Sequence, residues 1–339
     1  MKKTILITGA AGFIGAALCE RLLNETEGYR VIGLDNLNDY YDVRLKEYRL
    51  EKLKRHGGFS FAKRDICDRE ALEEIFREES PDTVVHLAAQ AGVRASISYP
   101  RLYIQSNIVG FFNILQACRH QKDKLEQLIF ASSSSVYGDR DEEMLSTDMS
   151  THSPSSLYAA TKIADEAMGY SYSKLYGINM TGLRFFTAYG PAGRPDMAYY
   201  KFADRLCAGE KLDLYNFGKN YRDFTYVDDI TDGIKRIIDA GGNKDGDVPY
   251  RIMNIGRGNT VVLEDFVRIL FEEMKELGLI DSELLLEDCI NYLPAQQGDV
   301  VRTLRDIGPM REKYGYRPKT DLREGLREFL KWYKEYNSY

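Results

Sequence analysis

Tyr158 and Lys162 stand four residues apart in the stretch YAATK. In a helix that spacing puts both side chains on one face. A free tyrosine gives up its proton near pH ~10, and an ammonium beside it favours the phenolate. Such a pair would supply a general base for a sugar or alcohol hydroxyl. The chain has 24 tyrosines, so a surface Tyr–Lys pair at this spacing also arises by accident, and the surroundings must decide. Upstream runs ASSSSVYG, Ala131 to Gly138, with four consecutive serines and no acid among them. Hydroxyls at a strand end can serve a ligand, or they can bond their own backbone.

A second constellation lies at the start of the chain. TGAAGFIG places Gly9, Gly12 and Gly15, with Phe13 and Ile14 between them, directly after the apolar strand TILIT (Thr4–Thr8) and at the head of a helical stretch, Phe13 to Asn24. Glycines there allow a sharp turn and a close approach of backbone to a pyrophosphate, and the helix N-terminus offers free N–H groups. The spacing is GxxGxxG, which alone marks no more than a tight turn. Successive strand ends add to it. Asp35 closes RVIGLD, where a carboxylate can accept both ribose hydroxyls of NAD and would repel the 2′-phosphate of NADP. Asn36 follows it. Asp65 and Ile66 end the strand FSFAKRDI (Phe59–Ile66) and could edge an adenine. Leu87, Ala88 and Ala89 end DTVVHLAA, and Phe185 lies in NMTGLRFF, where they could border the same ligand. Together these predict an NAD site at the carboxyl edge of a sheet.

The elements that must position these groups alternate βαβα, with nearly continuous apolar strands, which predicts a parallel sheet covered on both faces. After QLIFASSSS comes a long helix, capped by Ser155 or Ser156 and ended by Gly177. A single helix is expected over about 100–120. Past residue 185 the rhythm breaks. We expect an α/β chain: a Rossmann-type doubly wound parallel sheet over 1–185, and a smaller mixed α/β substrate domain over 186–339, with some later segments returning to the first. The C-terminal DLREGLREFLKWYKEY puts Leu322, Leu326, Phe329 and Tyr333 on one packing stripe. Net charge is −6 over 339 residues with no basic block, which argues against nucleic acid or an acidic membrane surface as partner. Five scattered cysteines without a CxxC read as reduced thiols, consistent with the cytoplasm. No run is long enough to span a membrane, and the leading apolar run, Ile5 to Ile7, is too short for a signal peptide. Four scattered histidines offer no metal set.

TGAAGFIG, Asp35, Asn107 in QSNIVG, Ser133 and Tyr158–Lys162 together resemble the extended short-chain dehydrogenase/reductase family, in its NAD-dependent sugar epimerase/dehydratase branch. More narrowly, LDNLNDYYDVRLK, ASSSSVYG, RFFTAYGPAGRPDMAYYKF and RDFTYVDDI are similar to the UDP-glucuronate 4-epimerases. The resemblance implies that Ser133 bonds the sugar 4-hydroxyl, that Tyr158 is the acid/base, and that Lys162 holds the nicotinamide ribose. It implies that Asn107 braces the active-site helix at the cofactor site, and that Arg194 and Arg222 contact the nucleotide end of a UDP-sugar. Related dehydratases and decarboxylases carry an acid just after the catalytic Ser/Thr; here Ser134 and Ser135 stand there. With Thr187 they could cradle a substrate carboxylate. Tyr215 could flank the uracil and Gln296 or Asp299 could reach it, with Lys201 and Arg94 as further candidates. Helices near 100–120 and 156–176 would form a homodimer bundle. The alternatives are a neutral UDP-glucose or UDP-N-acetylhexosamine 4-epimerase, a UDP-glucuronate decarboxylase, and a non-catalytic NAD-binding sensor. Thr187 argues against the neutral hexose, the missing acid against the decarboxylase, and the complete Ser–Tyr–Lys set against the sensor. The product of such an epimerase would feed polysaccharide synthesis.

Overall fold

The computed structural model describes residues 2–25, 28–140, 144–243, 245–295 and 305–339. Seven strands form one parallel sheet: β1 (Lys3–Thr8), β2 (Tyr29–Asp35), β3 (Phe59–Lys63), β4 (Thr83–His86), β5 (Gln127–Ser133), β6 (Met180–Phe185) and a last strand, Tyr250–Ile255. Their spatial order is β3-β2-β1-β4-β5-β6 and then Tyr250–Ile255, so the chain reverses direction across the sheet between β1 and β4. A ligand crevice forms at such a switch point.

The central strands β1, β2, β4 and β5 are short and carry Val, Ile and Leu, because both of their faces are covered. The helices Phe13–Asn24 and Val227–Ala240 pack with β1 and the last strand into one core; Arg69–Glu79 and Phe111–His120 pack into the core of the opposite face. A third apolar core gathers Tyr199, Phe224, Phe266, Leu270, Phe329 and Tyr333 from the later half of the chain. The helix Leu322–Tyr336 buries the expected stripe of Leu322, Leu326, Phe329 and Tyr333 there.

Two expectations change. The helix expected over about 100–120 is built from Pro100–Tyr103, a π-helical turn Ile104–Gly110, and Phe111–His120, after a separate helix Val93–Ser98. Gly110 allows the bend to lie against Ile66, whose side chain would stand 2.5 Å from a Cβ there. The second change is at the strand ends: β3 and β4 stop before Asp65 and Leu87, which therefore lie on the loops that leave the sheet. The long helix runs Leu157–Tyr176, where Ser156 Oγ accepts from the Ala159 N–H at 3.1 Å and Gly177, at φ +70°, ends it.

Candidate active site

One cleft of about 270 Å³ opens along the carboxyl ends of β1, β2, β4 and β5. At one end lies the glycine turn. Gly9 takes φ +73°, and a Cβ there would stand 2.8 Å from the Ala88 nitrogen; one on Gly15 would stand 2.1 Å from the Gly9 carbonyl oxygen. The glycines thus let turn, helix and the β4 loop close on one another. The helix Phe13–Asn24 begins at Gly12 with no side-chain cap, and Gly12, Phe13, Ile14 and Gly15 all line the cleft. A helix start of this kind attracts an anion.

Asp35 is buried beside the turn. It accepts from the Ala11 N–H at 3.1 Å and the Leu37 N–H at 2.9 Å, one on each oxygen. Those bonds fix the carboxylate and leave further lone pairs for ligand hydroxyls. Asn36 donates to Asp65 at 2.8 Å, and the Cys67 N–H donates to its other oxygen at 2.8 Å. Burial raises the Asp65 carboxyl, but these bonds outweigh it and leave the group below its ordinary value. Ile66, Leu87, Ala88, Ala89 and Phe185 complete the lining as expected.

At the other end stand Ser133, Tyr158 and Lys162. Lys162 is buried; its Nζ donates to the Ala131 carbonyl and to Asp165 Oδ2, both at 3.0 Å. The Tyr158 ring meets Tyr103 edge-on, 6.0 Å between centroids. The serine run divides its work. Ser132 is buried and donates to Glu166 at 2.5 Å, while Glu166 receives Arg184 through both oxygens at 2.9 and 2.8 Å. Ser133 lines the cleft and its Oγ also accepts from the Ser135 N–H at 3.2 Å, capping the short turn Ser134–Tyr137. Ser134 and Ser135 are half-buried on that turn and do not line the cleft; the Ser135 hydroxyl lies 3.2 Å from that of Ser133.

Asn107 does not line the cleft either. It is buried behind it, bonded to both backbone groups of Gln90 at 2.8 and 3.1 Å and to Thr161 of the long helix at 3.0 Å. Arg194 reaches the cleft, paired with Asp196 at 3.0 and 2.5 Å. Burial pulls against its charge, and the Asp196 carboxylate outweighs that and holds the guanidinium above its ordinary pKa. Thr187 is half-buried between Phe186 and Ala188, which do line the cleft. Arg222 and Tyr215 are half-buried, and Lys201 and Arg94 exposed, all outside the lining. Gln296 and Asp299 lie outside the described residues. Among the described residues no group of His, Cys, Asp or Glu could hold a metal.

Lining residues absent from the sequence reading include Tyr40 and Lys46, in the segment that follows Asp35, and Gln90 beyond β4. Their signal was position just past a strand end. Lys46 donates to Asn38 at 2.8 and 2.9 Å, and burial lowers its pKa. Asp165 was also missed, although three residues after Lys162 on a helix puts it on the same side.

The residues present fit NAD. An anchored carboxylate with spare lone pairs suits ribose hydroxyls, and an open helix start suits a pyrophosphate.

The profile of the NAD dependent epimerase/dehydratase family matches residues 5–256. Protein CapI of Staphylococcus aureus is 44% identical, over 98% of both chains. UDP-glucuronate 4-epimerase 4 of Arabidopsis thaliana is 41% identical, over 99% of this chain and 76% of that one. Among solved structures, the UDP-glucuronic acid 4-epimerase of Bacillus cereus, in complex with UDP-glucuronic acid and NAD, superposes with a TM-score of 0.86 at 31% identity, over 98% of this chain and 99% of that one.

Proposed function

Because the chain belongs to the NAD dependent epimerase/dehydratase family, we propose that it interconverts UDP-glucuronate and UDP-galacturonate by inverting C4 through a 4-keto sugar. The observation that carries this reading is that Ser133, Tyr158 and Lys162 share one cleft with the glycine turn and Asp35. NAD, when bound, supplies the hydride acceptor and donor for C4. Tyr158 takes the proton of the 4-hydroxyl at its phenolate oxygen and returns it after the sugar has turned over. Lys162 keeps a positive charge beside that oxygen, and Ser133 orients the hydroxyl.

The keto sugar bears a carboxylate on C5 and is therefore a β-keto acid. It loses carbon dioxide when its C5–C6 bond aligns with the carbonyl π system. Ser134 and Ser135 follow the lining residue Ser133 in the chain, and Thr187 stands between the lining residues Phe186 and Ala188. In this reading they turn to the bound sugar and hold its carboxylate out of that alignment by hydroxyl donation, and the serine turn presents no acid to repel it. Arg194 turns from Asp196 to the pyrophosphate, with Arg222 and Tyr215 at the nucleotide end. In this reading residues 1–185 hold NAD and 186–339 the nucleotide sugar, with the strand Tyr250–Ile255 returning to the sheet.

Exposed Ile97, Tyr99, Leu102, Phe112, Tyr170 and Leu175 lie on or beside the helices expected to pair, which supports a homodimer. Sedimentation at micromolar concentration should give twice the chain mass. No helix among the described residues is long and apolar enough to cross a membrane, and the five cysteines are free, which supports a cytoplasmic enzyme. The test is incubation of purified protein and NAD with UDP-glucuronate, with products separated and carbon dioxide followed. UDP-galacturonate without carbon dioxide is expected; UDP-xylose or a keto pentose would make it a decarboxylase, and no turnover would return weight to neutral UDP-hexoses.

A further inference from the structure

Asp165 sits under the cleft with its side chain almost wholly buried. Its Oδ2 receives Lys162 Nζ at 3.0 Å, while Oδ1, also buried, meets no donor among the described residues. A half-satisfied buried carboxylate is costly to a fold. Apolar side chains would fill the same space without that cost.

The groups facing it are few. Glu166 on its own helix is already matched by Arg184 of β6 and by Ser132. His86 of β4 feels the charge of Lys162 and is held neutral by burial. Tyr250 of the last strand donates to the Glu166 carbonyl at 2.8 Å. Lys162 is therefore the cation that answers Asp165. Of the three ammonium donors, one goes to Asp165 and one to the Ala131 carbonyl.

We infer that Asp165 is a positioning residue for Lys162: with the Ala131 carbonyl it fixes the ammonium so that its third donor serves the cleft, and its charge offsets part of the field that Lys162 projects onto Tyr158. Burial pushes the Asp165 carboxyl up to about 6, against the pull of Lys162, so the offset is in place at neutral pH and is lost in mild acid. The inference rests on the reading of Tyr158 and Lys162 as the working pair.

The test compares wild type, Asp165→Asn and Asp165→Leu for the pH profile of kcat with UDP-glucuronate, for NAD affinity, and for stability to urea. Asp165→Asn keeps an oxygen for Nζ and removes the charge. Its ascending limb, set by Tyr158, should move to lower pH by roughly one unit, with NAD affinity near wild type. Asp165→Leu should show the same shift and bind NAD about tenfold more weakly, since the ammonium has lost a bond. An unmoved limb, or one moved to higher pH, overturns the inference even where stability changes. If wild type does not turn over UDP-glucuronate, the reading of the site fails separately, and equal NAD affinity in Asn and Leu variants then overturns the positioning role. If neither variant folds, the carboxyl carbon resonance of Asp165 in wild type decides: ionised at pH 8 supports the inference, protonated at pH 8 overturns it.

Discussion

A phenol that ionises near pH ~10 is a poor base at neutrality, so Tyr158 depends on what stands beside it. Lys162 is held in place from two sides, and Tyr103 supports the Tyr158 ring while bonding the Ala91 and Gly92 carbonyls at 3.0 and 2.8 Å. Tyr158→Phe keeps that ring contact and removes only the oxygen. We expect kcat to fall by about 10²–10⁴-fold with folding and NAD binding preserved, read by product formation and by cofactor titration; a variant as fast as wild type would take Tyr158 out of the reaction. The serine turn gives a second expectation. Its cap is the Ser133 oxygen receiving the Ser135 N–H, so the hydroxyls of Ser134 and Ser135 are not needed to form it. The double variant Ser134→Ala, Ser135→Ala should therefore fold normally, make less UDP-galacturonate and release more carbon dioxide per turnover. Unchanged carbon dioxide release would assign those hydroxyls to the turn alone.

Elements hold the two ends of the cleft at a fixed separation, and Arg49 shows how. It lies on the helix Val43–Lys54, 3% exposed. Its guanidinium donates to the Ala11 carbonyl and the Tyr41 hydroxyl at 2.9 and 2.7 Å, and to the Ala192 and Gly193 carbonyls at 2.7 to 3.1 Å. One side chain thus ties the glycine turn to the loop that carries Arg194. Arg49→Met keeps the stem and strands those carbonyls. We expect a loss of stability on the order of 3 kcal/mol in urea unfolding and higher KM values for both NAD and the nucleotide sugar. A variant with wild-type midpoint and KM values would show the clamp to be dispensable. Nothing local marks Arg49, because its partners lie on segments far apart in the chain. The glycine turn, Asp35 and the Tyr158–Lys162 pair were legible for the opposite reason: each is a short-range spacing with one geometric meaning. The π-turn escaped a reading based on a 3.6-residue period, since one extra residue in Ile104–Gly110 leaves the apolar pattern on either side intact. The strand Tyr250–Ile255 escaped too; YRIMNI is interrupted by polar residues, and only pairing with β6 makes it a strand.

At the scale of the whole molecule, two buried ionisable groups beside the same lysine give opposite responses to acid. His86 lies on β4, its Nδ1 2.8 Å from the Thr8 hydroxyl and its ring stacked on Phe111. Burial, helped by the charge of Lys162, pushes its pKa down to about 3. Between that value and the ~6.5 of an unfolded histidine, the unfolded chain binds a proton that the folded chain refuses, so stability falls as pH drops below ~6.5. Asp165 works the other way. Its carboxyl is raised to about 6, chiefly by burial, so between about 6 and the ~3.9 of an unfolded aspartate the folded chain takes the proton first and gains stability as pH falls. The displacement of His86 is the larger of the two, so acid should win: the urea midpoint at pH 5 should lie below that at pH 7.5. His86→Gln removes the histidine contribution and should flatten this dependence. Asp165→Asn removes the opposing one and should steepen it. The four unfolding curves per variant pair needed to see this are independent of turnover, so they report on the buried charges whatever the substrate. A pH dependence that neither substitution alters would place the acid sensitivity elsewhere in the fold.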